Sequence, residues 1–230
     1  MSQTDVLIMA AGAGERFGGE SKQFALLGGK PMLVWSLERF TRDSACDRIT
    51  IVVTPGTETR IGQLIDEHEV EKINGIVPGG DTRQASVRFG LEFFGPDSER
   101  VLVHDAARPC LSKNLLHRVI GALDKADAVV PSAPAVDTMI REESSHVTDI
   151  VDRTGLSAVQ TPQGFRTELL QRAHKNAESS GMVSSDDGSL VVALGETVVT
   201  VRGERTNIKV TFEDDLRIAE AILNLKSTKE

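Results

Sequence analysis

A chain of 230 residues, 40% hydrophobic and 26% charged, is long enough for one large core and has the balance of a globular fold rather than a disordered one. Its net charge of -8 argues against a general nucleic-acid or anionic-membrane surface, so cations that hold an anionic ligand must be gathered in one cleft. Two cysteines without a CxxC, no signal peptide and no apolar run near the ~20 residues that span a bilayer lead us to expect unpaired thiols in a reducing, cytoplasmic setting.

Val6–Ala10 reads as a buried strand that runs straight into Ala11-Gly12-Ala13-Gly14-Glu15-Arg16, then Gly18-Gly19-Glu20-Ser21-Lys22. Small residues let the backbone approach phosphates while two fixed cations, Arg16 and Lys22, neutralise them. Two familiar phosphate-loop patterns are excluded. After Gly12 and Gly14 the next glycine is Gly18, one position late for G-x-G-x-x-G, and the second strand, Ile49–Thr54, lacks the ribose-binding acid. Gly14 and Gly19 have P-loop spacing, but Glu20 follows where that motif needs Lys. Taken alone, the loop also reads as a tight βα turn carrying surface charges.

A helix opened by Pro31 is predicted over Met32–Thr41, before the second strand. Thr59–His68 (helix), Ile73–Val77 (strand) and Thr82–Phe94 (helix, stopped by Gly95-Pro96) follow. Val101–His104 is a buried strand, and Ser112 can cap a helix whose Leu115, Leu116, Val119, Ile120 and Leu123 share a face. Ala128–Ser132 and Thr197–Val201 are strands, and Thr211 with Asp214 forms a capping-box pattern before the helix Leu216–Leu225. Val136 to about Thr161 breaks the alternation. It is polar, β-branched and turn-rich, and predicts a hairpin projecting from the sheet. The fold expected is α/β, a Rossmann-like, mostly parallel, doubly wound sheet with a protruding β-hairpin arm and ligands at the carboxyl ends of its strands.

Four polar clusters fall at predicted strand ends. The first is the opening loop. In the second, Gly79-Gly80-Asp81-Thr82-Arg83, the glycines leave room for a planar base and Asp81 could accept from an exocyclic amine, although Asp81 also reads as a plain helix cap. In the third, His104-Asp105-Ala106-Ala107-Arg108-Pro109, Asp105 suits ligand hydroxyls or Mg²⁺ and Arg108 an anion, or the two pair with each other. His104 reads as a satisfied strand-end histidine, since no nucleophile stands beside it. The fourth, Asn207-Ile208-Lys209-Val210-Thr211, and Arg153 in Val151-Asp152-Arg153 gain interest only from this company.

In this order, with Asp137-Thr138-Met139 and Thr161-Pro162-Gln163 between them, the clusters resemble the 2-C-methyl-D-erythritol 4-phosphate cytidylyltransferases of the non-mevalonate isoprenoid pathway. The resemblance covers essentially the whole chain and implies one nucleotidyltransferase domain over 1–230, with a β-arm insertion at about 136–161. It implies that Arg16 and Lys22 stabilise charge on the triphosphate of CTP. Ala10, Ala11, Gly12 and Ala107 would line the nucleotide pocket, with Gly80, Asp81 and Ser86 around cytosine. Asp105, Arg108, Thr138 and Thr161 would hold the methylerythritol phosphate. Members of the family are homodimers with interlocking arms, so Arg153 would reach the partner subunit's site, while Lys209 would orient the attacking phosphate. Mg²⁺, held mainly by the triphosphate, would have Asp105 nearby. Met9, Ser21 and the Ser184–Gly188 run depart from the family pattern, and the last affects the substrate-side role of Ser185. The competing expectations are a cytidylyltransferase for another polyol phosphate, such as ribitol 5-phosphate, and a non-catalytic nucleotide-binding regulator.

Overall fold

The computed structural model describes residues 3–12, 22–95 and 97–227. Strand β1 (Thr4–Ala10) is buried along its whole length, as a central parallel strand covered on both faces must be. A single 3-10 turn at Lys22–Phe24 and a small hairpin, β2 (Leu26–Leu27) with β3 (Lys30–Pro31), lead into α1 (Met32–Thr41). Strands and helices then alternate as β4 (Arg48–Val53), α2 (Glu58–Glu67), β5 (Ile73–Pro78), α3 (Arg83–Glu92), β6 (Arg100–Asp105), α4 (Lys113–Ala122) and β7 (Ala128–Pro134). Ser112 caps α4 as expected, its Oγ accepting from Leu115 N–H at 3.0 Å.

After β7 the pattern changes. β8 (Met139–Glu143) and β9 (His146–Val151) form an antiparallel hairpin whose residues are almost all exposed, and β10 (Ser157–Val159) returns to the main sheet. Three elements beyond those expected follow: β11 (Gln163–Arg166), α5 (Thr167–Ser180), whose Leu169, Leu170, Ala173 and Ala177 fall on one buried face, and α6 (Asp187–Ala193). The chain then adds β12 (Val199–Arg202) and α7 (Asp214–Ser227). The expected Thr211–Asp214 box is displaced by one residue, because Asp215 accepts from the backbone N–H groups of Thr211 and Phe212 at 2.8 and 2.9 Å.

The eight-stranded sheet runs β10-β7-β11-β6-β1-β4-β5, with β12 beside β7. β6, β1, β4 and β5 are parallel, whereas β11 is antiparallel to both β6 and β7, so the sheet is mixed. Alternation along β1 divides the core: Val6, Ile8 and Ala10 pack with α1, α2 and α4, while Leu7 and Met9 pack with α3, α5 and α6. Strand order reverses at β1, since β4 lies on one side of it and β6 on the other. Such a switch point opens a crevice at the carboxyl ends of the strands.

Candidate active site

The crevice is a cleft of about 450 Å³ at the ends of β1, β5 and β6. Ala10, Ala11 and Gly12 form its floor, and Ala107 lines it beside the end of β6. One wall is the turn between β5 and α3. A Cβ on Gly79 would stand 2.6 Å from Ala11 Cβ and 2.8 Å from Ser86 Oγ, and one on Gly80 would stand 2.8 Å from Ala85 Cβ. Only glycine permits so close an approach. The buried Ser86 hydroxyl accepts from Gly80 N–H at 3.0 Å and holds the turn open. Asp81 does not cap α3. Thr82 does, accepting from Ala85 N–H at 3.0 Å, because its side chain stands at the residue before the first helical turn. Asp81 is left exposed on the cleft, a free acceptor at the mouth of the glycine wall.

The opposite wall is cationic. Lys22 lines it, with Nζ 3.5 Å from the carbonyl of Val210, and beside it lies Gln23, almost fully buried, with an amide nitrogen that has no hydrogen-bond partner among the described residues. Asp105, the last residue of β6, accepts from Lys209 Nζ at 2.8 Å through Oδ2 and faces Arg83 Nε at 3.4 Å through Oδ1. Burial alone would raise its carboxyl, but Arg83, Lys209 and Arg108 outweigh that and hold it well below the usual carboxylate range. Arg83, at the start of α3, owes its place here to Asp187, a partner 104 residues away.

Behind Asp105 is a closed polar ring. Asp105 N–H donates to Thr161 Oγ1 at 3.1 Å, and that oxygen lies 3.1 Å from His104 Nδ1. His104 Nε2 faces the carbonyl of Arg108 at 3.3 Å. This arrangement requires a proton on Nε2 and a hydroxyl proton donated to Nδ1. Burial pushes the His104 imidazole down to about 4, so the ring is neutral and structural, in line with the reading that it is no catalyst. Arg108 donates to the carbonyls of Asn207 at 2.8 Å and Val159 at 3.4 Å, and Asn207 Nδ2 donates to Thr161 O at 2.8 Å. The segment carrying Lys209 is thereby tied to β10 and to the end of β6.

Within one chain, then, Lys22, Asp105, Ala107 and Lys209 meet Ala10–Gly12, Gly80, Asp81 and Ser86 in one cleft, with Thr161 and Arg108 directly behind. Thr138 and Arg153 are not part of it. Both are exposed at the base of the hairpin, where Arg153 Nη1 donates to the Val136 carbonyl. Arg16 lies outside the described residues. The Ser184–Gly188 run forms the entry to α6, capped by Asp186, whose carboxylate accepts from Ser189 N–H at 3.0 Å.

Among the described residues no group of three His, Cys, Asp or Glu side chains could cage a metal ion. Asp105 keeps unused lone pairs beside a cleft rimmed by cations, which fits a Mg²⁺ ion arriving with phosphate oxygens as its principal ligands.

The family model described as 2-C-methyl-D-erythritol 4-phosphate cytidylyltransferase matches residues 4–225. The enzyme of that name from Geobacillus kaustophilus is 40% identical over 220 residues, covering 95% of this chain and 96% of its own. The Alkaliphilus metalliredigens relative is 40% identical and covers all of this chain and 96% of its own. Among solved structures, that of the Thermus thermophilus enzyme superposes with a TM-score of 0.80 at 37% identity, covering 95% of this chain and 98% of its own. That of the Anaerococcus prevotii 4-diphosphocytidyl-2C-methyl-D-erythritol synthase reaches 0.84 at 29%, covering 96% of each chain.

Proposed function

Because the chain belongs to the 2-C-methyl-D-erythritol 4-phosphate cytidylyltransferase family, we propose that its switch-point cleft carries that reaction through the residues described above. The enzyme transfers the cytidylyl group of CTP to 2-C-methyl-D-erythritol 4-phosphate in isoprenoid precursor biosynthesis. A phosphate oxygen of the acceptor attacks the α-phosphorus of CTP, the bond to the β-phosphate breaks and pyrophosphate leaves. The observation that carries the assignment to this cleft is its two-sided construction, with a glycine-walled slot on one side of Ala10–Gly12 and a cation cluster around Asp105 on the other.

Both reactants are anions. A like-charge pair at about 4 Å costs about 4 kcal/mol at an effective dielectric near ~20, and several such pairs arise here. The protein's task is therefore to position and neutralise, and an ionised phosphate nucleophile needs no strong general base. Lys22, with Arg16, balances charge on the triphosphate; Gly80, Asp81 and Ser86 surround the base; Ala107 lines the nucleotide pocket. Asp105, Arg108 and Thr161 hold the acceptor, together with Thr138 of the partner subunit, and Lys209 orients its phosphate. Asp105 would offer a carboxylate to a Mg²⁺ ion held mainly by the triphosphate, and the ion would supply neutralisation of the charge on the phosphate oxygens.

We assign Arg153 and Thr138 to the site of a second copy. Among the described residues the hairpin strands pair only with each other, and an isolated two-stranded ribbon is marginal in water. Ile140 and Ile150 stand opposite each other in register and are 46% and 68% exposed, an apolar face that a homodimer would cover. Two buried cysteines held as thiols rather than in a disulfide suit a cytoplasmic setting, and among the described residues no helix is long and apolar enough to cross a membrane.

The test is pyrophosphate release with CTP and Mg²⁺ in the presence of methylerythritol 4-phosphate, ribitol 5-phosphate or no acceptor. Release confined to the first is expected. Release confined to ribitol phosphate would move the cleft to another acceptor, and CTP binding without release in any sample would favour a regulator.

A further inference from the structure

His174 and Asp187 have no part in the chemistry above, yet both side chains are buried, with 2% and 1% exposure, and they lead directly to the cleft. His174 Nε2 lies 3.1 Å from Asp187 Oδ1. Arg83 Nη1 donates to Asp187 Oδ2 at 2.6 Å, and Arg83 Nε lies 3.4 Å from Asp105 Oδ1. Asp105 Oδ2 then meets Lys209 Nζ at 2.8 Å. One line of charge thus runs from α5 through α6 and α3 to the end of β6 and the segment before α7. The neighbouring side chain strengthens the clamp: Gln84 Nε2 donates to Met182 O at 3.0 Å, and its Oε1 accepts from Ser184 N–H at 2.9 Å.

Burying such a chain is a poor route to stability, because desolvation offsets the attraction and apolar side chains of similar volume serve a core as well. Its value lies in direction. A guanidinium is a planar fork whose separate N–H edges can hold two carboxylates at fixed angles. Arg83 lines the cleft, Asp187 holds it from behind, and its other edge meets Asp105.

We propose that Arg83, clamped by Asp187 and His174, is a positioning residue that sets the place of Asp105 and, through it, of Lys209 on the acceptor side of the cleft. This rests on the assignment of Asp105 and Lys209 to the acceptor. Burial alone would raise the Asp187 carboxyl, but Arg83 and His174 outweigh it and keep the carboxylate charged, as the clamp requires.

The experiment uses the full chain, with steady-state kinetics for each substrate varied in turn and thermal unfolding of the same samples. Asp187→Asn keeps an oxygen for Arg83 but removes its charge, and Arg83→Lys keeps a charge but removes the fork. Both are expected to raise KM for methylerythritol 4-phosphate at least about tenfold, as misplacement of a reacting group does, with KM for CTP within about twofold. Should Asp187→Asn not fold, Asp187→Glu retains the charge while pushing Arg83 out of place, and the same split between the two KM values is expected. A lowered Tm with both KM values unchanged would make the chain a scaffold feature and overturn the proposal. So would recovery of normal acceptor KM by Arg83→Lys, or an equal rise in both KM values. Absence of pyrophosphate release in the unmodified protein would instead overturn the functional reading beneath it.

Discussion

Each residue at the cleft wall answers a local constraint, and two of these constraints predict the outcome of substitution. In the proposed reaction Lys22, together with Arg16, which lies outside the described residues, supplies charge where the triphosphate gains it. Lys22→Ala or Arg16→Ala is expected to lower kcat by at least about 100-fold, the scale of losing one preorganised oxyanion donor. Near-normal turnover in both variants would remove these two cations from the reaction. Gly79 works by absence. Its would-be Cβ lies within 2.6 Å of Ala11 and 2.8 Å of Ser86, so Gly79→Ala must push the floor and wall of the slot apart. The expected result is a rise in KM for CTP without a matching rise for the acceptor, measured under the same conditions. Asp81 illustrates a reversed reading: Asp is a favoured cap, but Thr82 stands one residue closer to the helix and takes that place, leaving Asp81 exposed on the cleft.

Among the elements, the hairpin of β8 and β9 and the βα turns do different work. The turns present small residues and backbone at the ends of strands that the core holds still, which is why the cleft lies where strand order reverses. Among the described residues the hairpin shares no strand pairing with the sheet, and its exposed Ile140–Ile150 face needs a cover. Ile140→Asp combined with Ile150→Asp is expected to convert a dimer to a monomer in sedimentation velocity and to weaken the acceptor site. A dimer that survives both substitutions would place the interface elsewhere. Arg153→Ala is expected to raise KM for methylerythritol 4-phosphate far more than KM for CTP. Equal effects on both would take Arg153 out of the acceptor site.

The whole molecule carries an acid-sensitive lock in the ring behind Asp105. His104, fully buried and held down to about 4, binds no proton in the folded state where the unfolded chain, with a histidine near ~6.5, already does. Stability is therefore complete above the unfolded value and falls as pH drops from about 6.5 to 4, by roughly 3 kcal/mol at about 1.4 kcal/mol per pH unit. The carboxylates of Asp105 and Asp187 are lowered instead, so their contribution is lost only below the ordinary carboxylate range. Urea unfolding of the intact chain at pH 7 and pH 4.5 is expected to show the loss, and His104→Gln is expected to reduce the difference. An equal difference in that variant would assign the acid sensitivity to other groups. The two cysteines stay out of this chemistry: both are buried, and burial pushes the Cys46 thiol up to about 12.

By itself the sequence determined the alternation of β1, α1, β4, α2, β5, α3, β6, α4 and β7, though not the small β2–β3 hairpin, along with the Ser112 cap, the glycines after β5 and the cluster at the end of β6. These are local: an apolar run buried on both faces, a hydroxyl before a helical period and small residues after a strand each act within a few positions. It also carried enough ordered motifs to point to the family. The placement of β11 and α6 was not legible, because a four-residue antiparallel strand inserted between β6 and β7 and a seven-residue helix show too little period to be read, whereas the period of α5, with Leu169, Leu170, Ala173 and Ala177 on one buried face, was present in the sequence and missed. Nor was the role of Arg83. In the first turn of α3 it reads like any solvated arginine, and its meaning comes from Asp187 and Asp105, brought to it by packing across the sheet. Gln23 is similar, a polar residue whose burial, with an amide nitrogen that has no partner among the described residues, shows only in the fold. Local chemistry is written in adjacent residues, whereas a charge chain assembled from five separate segments exists only after the core has set their distances.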